Sequence, residues 1–274
     1  MKNLIGVMQG RLLPKFEGRY QAHPVNYWQK EFQIAKDNNL DCIEFILDFN
    51  KYELNPLLNE KGIEEIKELS LKTGVAVKTV CADYFMESPL FIEDSLIYKS
   101  NQQVLLKLIK NSNEIGINNI VIPCVDKSSL DNKFKVNAFV KALKPALQLC
   151  EIYQINISLE TDLNPDLFIE LISKFDSNNI TVNYDIGNSA SLGYNPAEEL
   201  EAYGDRISDI HIKDRELGGG PVILGTGNAD FKLFFDLLKN YNYTGPFVMQ
   251  AFRDDEGVEI FKQQLQWILP FIKQ

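Results

Sequence analysis

Short β-branched runs alternate with longer amphipathic segments along the whole chain, and this alternation occurs eight times. The runs have the length and composition of strands, and the longer segments repeat their apolar residues with a helical period. Several runs are apolar on both faces until their last residues, which is typical of a parallel sheet covered by helices. The strands are predicted at 3–8, 41–47, 75–81, 119–124, 155–160, 180–185, 206–212 and 246–251. The helices are predicted at roughly 26–39, 60–73, 93–115, 133–153, 165–176, 197–203, 228–240 and 256–272.

Eight strand–helix units in 274 residues favour an α/β protein with one domain, a (β/α)8 TIM barrel that spans residues 1–274. No change in composition and no Pro-, Gly- or Ser-rich linker divides the chain. An open doubly wound sheet is the alternative. However, the run around Gly225 and Gly227 has Asp230 where a dinucleotide-binding fingerprint needs its third glycine. Pro145 lies inside the fourth predicted helix, so we expect a kink or a break there.

Charge and composition exclude several classes of protein. The net charge is −10 and the sequence pI is near 4.9, which opposes binding to a nucleic-acid backbone. No apolar run reaches the roughly 20 residues of a membrane helix, and the N-terminal run is too short for a signal peptide. The four cysteines lack metal-type spacing, which indicates reduced thiols and a cytoplasmic location. The oligomeric state is left open, and a homo-oligomer is compatible with the sequence.

The last residues of predicted strands five to eight are polar. Each strand ends in one side chain that can bind a metal ion, namely Glu160, Asp185, His211 and Gln250. In a barrel, the carboxyl ends of the strands meet at one face, where active sites lie. Two buried carboxylates repel each other unless a cation lies between them. The set predicts a divalent metal centre, with Mn²⁺ or Mg²⁺ favoured by its oxygen atoms and Co²⁺ or Zn²⁺ compatible with its imidazole. The alternative is that these are separate, hydrogen-bonded polar ends of buried strands.

Four of the five arginines follow predicted strands one, seven and eight. Because the guanidinium group binds phosphate or carboxylate through two parallel hydrogen bonds, this placement suggests an anionic substrate. Arg11, Arg215 and Arg253 are the candidates for binding it. Arg19 and Arg253 have an alternative interpretation as surface partners of nearby acidic residues.

The order of these motifs resembles that of the xylose isomerase-like barrel superfamily of sugar and sugar-phosphate isomerases and epimerases. Relatives in this superfamily include inosose dehydratase, hydroxypyruvate isomerase and the apurinic-site endonucleases. The resemblance covers nearly the whole chain, and its motifs are specific to the superfamily but not to a substrate. The motifs are Met8–Leu12, Ile43–Glu44, Leu159–Glu160, Tyr184–Asn188, His211–Asp214 and Leu224–Gly227.

The resemblance implies a metal held by the four strand-end residues and a sugar or sugar phosphate as the substrate. Ketose epimerases of the family have a histidine, an acid and an arginine that assist the reaction. By position these are Asn188, Asp166 and Arg215 here, so an asparagine replaces the histidine. Glu44 and Lys213 lie in the shared motifs, and we expect them to contact the substrate as well.

Gln250 stands where those epimerases have their second catalytic glutamate. An amide can bind a metal through its oxygen, but it cannot take a proton from carbon at neutral pH. Inverting a stereocentre usually needs a base on each face of the substrate. With Glu160 as the only evident base, we therefore hypothesise an aldose–ketose isomerase.

Several other functions stay open. The first is a metal-dependent epimerase, or a dehydratase or other lyase, acting on a keto sugar or a sugar acid. The second is a sugar-binding barrel that lost catalysis with the glutamate. An endonuclease function is not supported, because that branch uses several histidines and this chain has two.

Overall fold

A closed barrel of eight parallel strands forms the core of the computed structural model, which describes residues 3–273. The barrel strands, numbered β1 to β8 along the chain, are Ile5–Met8, Cys42–Ile46, Ala76–Cys81, Asn119–Cys124, Asn156–Thr161, Ile180–Asp185, Ile207–Ile212 and Phe247–Met249. β1 pairs in parallel with both β2 and β8, which closes the barrel. The predicted (β/α)8 barrel is confirmed, and the predicted strand bounds agree with the observed ones within two residues. Residues 1, 2 and 274 of the predicted domain lie outside the described part.

Ten α-helices, numbered α1 to α10, lie within residues 3–273. They are Lys30–Asp37, Glu60–Thr73, Tyr84–Glu87, Ser95–Ile115, Lys133–Tyr153, Pro165–Ser173, Ile186–Leu192, Pro196–Tyr203, Phe231–Leu238 and Val258–Ile272. The short helices α3 and α7 were not predicted, because each begins close behind the polar end of a strand and is too short to show a helical period. The predicted break at Pro145 is wrong, since α5 continues through it. Its apolar face is buried on both sides of the proline, and this packing outweighs one lost backbone hydrogen bond.

The core has two parts. Most buried apolar residues lie between the strands and the surrounding helices. A small inner cluster fills the barrel itself and consists of Met8, Ile46, Cys81, Val121 and Val248. Beside this inner cluster, the carboxyl ends of the strands present polar side chains to one another and to the loops that follow. No helix between residues 3 and 273 combines the length and the apolar composition that crossing a membrane requires.

Candidate metal centre and active site

The ends of β5, β6 and β7 bring Glu160, Asp185 and His211 together. One ligand atom from each lies within 4.8 Å of the other two. His211 Nδ1 is 3.6 Å from Glu160 Oε2 and 3.9 Å from Asp185 Oδ2. All three side chains are buried. Separations of this size suit neighbouring ligands of one ion whose bonds are about 2.0–2.6 Å long.

The two ring nitrogens of His211 face different partners. Nε2 lies 2.9 Å from Glu44 Oε2, and Asn183 Nδ2 lies 3.1 Å from Nδ1. In the neutral ring, Nδ1 accepts from the Asn183 amide group and the proton is on Nε2 beside Glu44; a bound ion would replace this hydrogen bond at Nδ1. A carboxylate behind a metal-binding histidine fixes the ring orientation and raises its basicity. Nδ1 is therefore the nitrogen that can bind a metal.

Glu44 is not among the residues that line the cavity at the carboxyl ends of the strands, which corrects the expectation that it contacts the substrate. Its side chain is fully buried inside the barrel, where Asp209 and His211 surround it. Burial opposes protonation of His211, but the neighbouring carboxylates, with Glu44 foremost, outweigh it and raise the pKa of His211 to about 10. Burial, followed by the charge of Glu44, raises the pKa of Asp209 well above its usual range.

Glu160 is held by two asparagine side chains. Asn183 Nδ2 donates to Oε2 at 3.0 Å, and Asn188 Nδ2 donates to Oε1 at 2.5 Å. Burial, and next the charge of Asp185, raise the pKa of Glu160 to about 7. A carboxyl group whose pKa lies near neutral pH suits proton transfer to and from a substrate.

Gln250 lies directly after β8, and its amide nitrogen is bound by a residue of the long loop after β1. Its Nε2 donates to Gln21 Oε1 at 3.2 Å, and Gln21 Nε2 donates to Asp83 Oδ2 at 2.7 Å. The Asp83 carboxylate therefore fixes the orientation of both amides. Within residues 3–273, Gln250 Oε1 is buried and has no hydrogen-bond partner. A buried acceptor without a partner is costly, and a cation would satisfy it. The donor set of two carboxylates, one imidazole and one amide oxygen thus fits a divalent metal.

The part of the site directly after β7 carries positive charge. Lys213 Nζ lies 3.2 Å from Asp185 Oδ2 and 3.2 Å from Asn188 Oδ1. Arg215 Nη1 donates to Asn188 Oδ1 at 2.8 Å, and its other nitrogens donate to Gly219 O. A Cβ atom at Gly187 would lie 2.7 Å from Lys213 Cγ, so the close approach of Lys213 requires a glycine here.

The glycine-rich loop after β7 uses its backbone N–H groups internally. The Asp214 carboxylate is fully buried and accepts from the N–H groups of Arg215, Gly225, Gly227 and Ala229. Because these N–H groups point at Asp214, the side chains of Lys213 and Arg215 are left as the positive groups for an anionic substituent.

A cavity of about 250 Å³ opens above these side chains. Its polar lining includes Gln21, Asp83, Asp162, Glu160, Asn188, Lys213, Arg215 and Gln250. The first three were not singled out from the sequence. Asp83 and Asp162 each lie within two residues of the end of a strand, so extending the strand-end argument to β3 and the loop after β5 would have found them. Gln21 lies in the long loop after β1, and no sequence signal distinguishes it.

Three residues predicted to bind substrate lie elsewhere. Asp166 is exposed on the first turn of α6, because a spacing of six from Glu160 reaches past the loop into the helix. Arg253 is buried and donates to the backbone oxygens of Gly10 and Leu13. Arg11 is buried as well; it donates to Tyr20 O and to Gln21 Oε1, so it supports the site from behind.

The sequence model of the family described as the xylose isomerase-like TIM barrel matches residues 32–271. The chain belongs to this family. SgbU of Haemophilus influenzae is 27% identical over 268 residues, which cover 91% of this chain and 93% of SgbU. The L-ribulose-5-phosphate 3-epimerase UlaE of Escherichia coli O1:K1 is 25% identical over 255 residues, which cover 88% of each chain.

A solved xylose isomerase-like TIM barrel protein from Mycobacterium smegmatis, in complex with magnesium, has the same fold. Its TM-score is 0.71 at 16% identity, and the match covers 99% of this chain and 98% of that one. The predicted family and fold are confirmed by these similarities. UlaE is an epimerase, and epimerases fall within the isomerase class that the sequence predicted.

Proposed function

We propose that this protein is a divalent-metal-dependent sugar or sugar-phosphate isomerase, in which Glu160 moves a proton on the carbon next to a carbonyl group. The observation that carries the proposal is the convergence of Glu160, Asp185 and His211 beside a cavity that Glu160 lines and that is large enough for a small sugar. The epimerase activity in the name of the relative UlaE supports it.

The residues present favour Mn²⁺ or Mg²⁺ as the ion. Three of the four donor groups are oxygens, which both ions prefer, and the imidazole nitrogen keeps Co²⁺ and Zn²⁺ compatible. The magnesium bound to the Mycobacterium smegmatis protein agrees with this preference. When bound, such an ion would polarise the carbonyl and the neighbouring hydroxyl of the sugar.

The side chains around Glu160 supply orientation and charge. Asn183 and Asn188 hold both of its oxygens, which fixes the carboxylate at one edge of the cavity. Lys213 and Arg215 place positive charge next to it, where negative charge develops on the substrate oxygens as the proton leaves carbon. Burial raises the pKa of Glu160 to about 7 without an ion, and a bound cation would favour the ionised form that takes the proton from carbon.

Two reactions share this first step. If Glu160 returns the proton to the neighbouring carbon on the same face, the reaction is an aldose–ketose isomerisation, which needs one base. If a proton arrives on the opposite face of the first carbon, the reaction is an epimerisation. The amide at position 250 favours the first, because it cannot carry a proton. The epimerase name of UlaE favours the second, which requires a further acidic group.

The cysteines indicate the compartment in which the protein acts. All four cysteines are free and buried, which supports a reducing compartment and hence the cytoplasm.

Metal analysis followed by deuterium exchange tests the proposed function. Metal-loaded protein in D₂O should incorporate deuterium next to the carbonyl of at least one sugar or sugar phosphate, as read by NMR. Glu160→Gln should abolish this incorporation, whereas Asp166→Asn, which changes an exposed acid outside the cavity, should not. Saturable sugar binding without exchange in the unchanged protein would contradict the proposal and indicate a binding protein. A conjugated or dicarbonyl product would indicate a dehydratase instead.

A further inference from the structure

The polar lining of the cavity falls into two parts. Glu160 is linked through Asn188 to Lys213 and Arg215, on the side of β5 to β7. Around the rest of the closed barrel, Gln250 after β8 is linked through Gln21, in the loop after β1, to a second carboxylate after β3. Position 250 thus carries an amide where the epimerases of the family have a glutamate. This amide donates to Gln21, and Gln21 in turn donates to an acid.

That acid is Asp83, and it has the surroundings of a proton-transferring group. It is partly buried and lines the cavity. Oδ2 accepts from Gln21 Nε2 at 2.7 Å, and Oδ1 accepts from the Cys81 thiol at 3.2 Å. Each oxygen keeps a lone pair for the substrate. Burial raises the pKa of Asp83 above its usual range, which moves it towards the pH where an acid can give and take protons.

We propose that Asp83 is the second catalytic acid–base of this site and works on the face of the substrate opposite Glu160, so that the enzyme is an epimerase. The inference rests on the proposed function, because it assigns the partner of Glu160 in the same reaction. It removes the reason for preferring isomerisation, since position 250 no longer has to carry the proton.

The proposed epimerisation balances in protons and electrons without any further reactant. Glu160, ionised, takes the proton from the carbon next to the carbonyl; the C–H pair forms a carbon–carbon double bond, and the carbonyl pair moves to oxygen. Asp83, protonated, gives its proton to the opposite face of the same carbon, and the carbonyl is formed again. Glu160 ends protonated and Asp83 ionised. Exchange with water, or the reverse reaction, restores the starting state.

The other acids that line the cavity fit this role less well. Asp162 follows β5, the strand of Glu160 itself, and accepts from Ser129 Oγ at 2.8 Å. It therefore lies on the same side as Glu160. Asp126 is exposed at the outer edge. Neither is linked to Gln250 by the hydrogen bonds that connect Asp83 to it.

The test compares proton exchange with inversion in Asp83→Asn, which keeps an oxygen acceptor for Gln21 but cannot carry a proton. Metal-loaded full-length protein is incubated in D₂O with each epimer of the ketose or ketose phosphate that the unchanged enzyme accepts. We expect Asp83→Asn to exchange deuterium into one epimer at close to the normal rate. Its conversion to the other epimer should fall by about 100-fold or more. Asp83→Glu should regain part of the inversion.

Folding and metal binding are measured in parallel. Asp83→Asn should keep the melting temperature and the Mn²⁺ affinity of the unchanged protein, and Asp166→Asn serves as the control acid outside the cavity.

Each outcome decides between the inference and the proposed function. Three results would overturn the role of Asp83 and leave the proposed function standing. They are normal inversion in Asp83→Asn, an equal loss of exchange and inversion in Asp83→Asn, and a loss of inversion with normal exchange in Asp162→Asn. An unchanged protein that shifts the carbonyl without inverting would also overturn it. An unchanged protein that exchanges nothing would overturn both.

Discussion

Two groups of side chains meet at the carboxyl ends of the strands, and the fold positions them in different ways. The strand group consists of Glu160, Asp185 and His211, each at the end of a barrel strand. The loop group consists of Gln21, Asp83 and Gln250, of which Gln21 and Asp83 lie in loops after β1 and β3. The strand group is fixed by the parallel pairing of β5, β6 and β7. The loop group is fixed by a chain of hydrogen bonds between side chains.

This difference indicates which group carries the metal affinity. Asp185 Oδ1 also accepts from the N–H of Asn188 and so caps α7, and His211 is supported from behind by Glu44. These charged, preorganised ligands account for most of the attraction for a cation. Gln250 adds one neutral oxygen whose orientation depends on Gln21. Changes in the strand group should therefore affect metal binding far more than changes in the loop group.

Removing the charge of Asp185 should have the largest effect. Asp185→Asn keeps an oxygen that can cap α7 but lowers the charge of the site, so Mn²⁺ affinity should fall on the order of 100-fold or more by isothermal titration calorimetry. Asp166→Asn is the control with the same chemical change on an exposed helix. Mn²⁺ binding to Asp185→Asn at full affinity would show that the strand group does not hold the ion.

The metal affinity should also rise steeply with pH. Protons compete with the ion for His211 Nδ1 and for Glu160, whose pKa values are raised to about 10 and about 7. Below pH 7 the ion displaces a proton from both groups, so the affinity gains up to about a hundredfold per pH unit; above pH 7 only His211 loses one, and the gain drops to about tenfold. Calorimetry in buffers of different ionisation enthalpy counts the released protons. An affinity that does not change between pH 6 and pH 8 would contradict this assignment.

Weakening the support behind His211 should have a smaller effect than removing a ligand. Glu44→Gln keeps the size of the buried side chain but removes the charge next to Nε2, and Mn²⁺ affinity should fall by about 10- to 100-fold. The ¹⁵N shifts of the His211 ring report the tautomer directly. If Glu44→Gln keeps both the tautomer and the affinity, Glu44 has no role in orienting the ring.

The loop group should give the smallest effect on metal binding. Gln250→Leu removes one neutral oxygen, and Mn²⁺ affinity should fall by about tenfold, which corresponds to about 1.4 kcal/mol. Gln21→Leu leaves that oxygen in place but frees the Gln250 amide to rotate, so its loss should be smaller still. A loss in Gln250→Leu as large as that in Asp185→Asn would remove the distinction between the two groups.

The same comparison explains what the sequence could predict. A strand that is apolar until a final acid or histidine shows both where the strand ends and which residue reaches the site, so the barrel and the strand group were accessible from pattern alone. Gln250 was accessible in the same way. Gln21 was not, because its position depends on contacts with Asp83 and Gln250, which are distant in sequence.

The arginines show the limit of an argument from residue type. A guanidinium group near a strand end can bind a substrate anion, but it can equally satisfy backbone oxygens, as Arg253 does with Gly10 and Leu13. Nothing in the local sequence of Arg253 distinguishes the two roles. Glu44 was misassigned for a related reason, since its motif indicates importance but not whether it faces the cavity or the barrel interior.

The position of the ion is the most direct test of the whole account. Crystals of the protein soaked in Mn²⁺ and measured at the manganese absorption edge should show one anomalous peak between Glu160, Asp185 and His211 Nδ1, within reach of Gln250 Oε1. A peak on the other side of the imidazole, between Glu44, Asp209 and His211 Nε2, or no peak at the strand group, would contradict it.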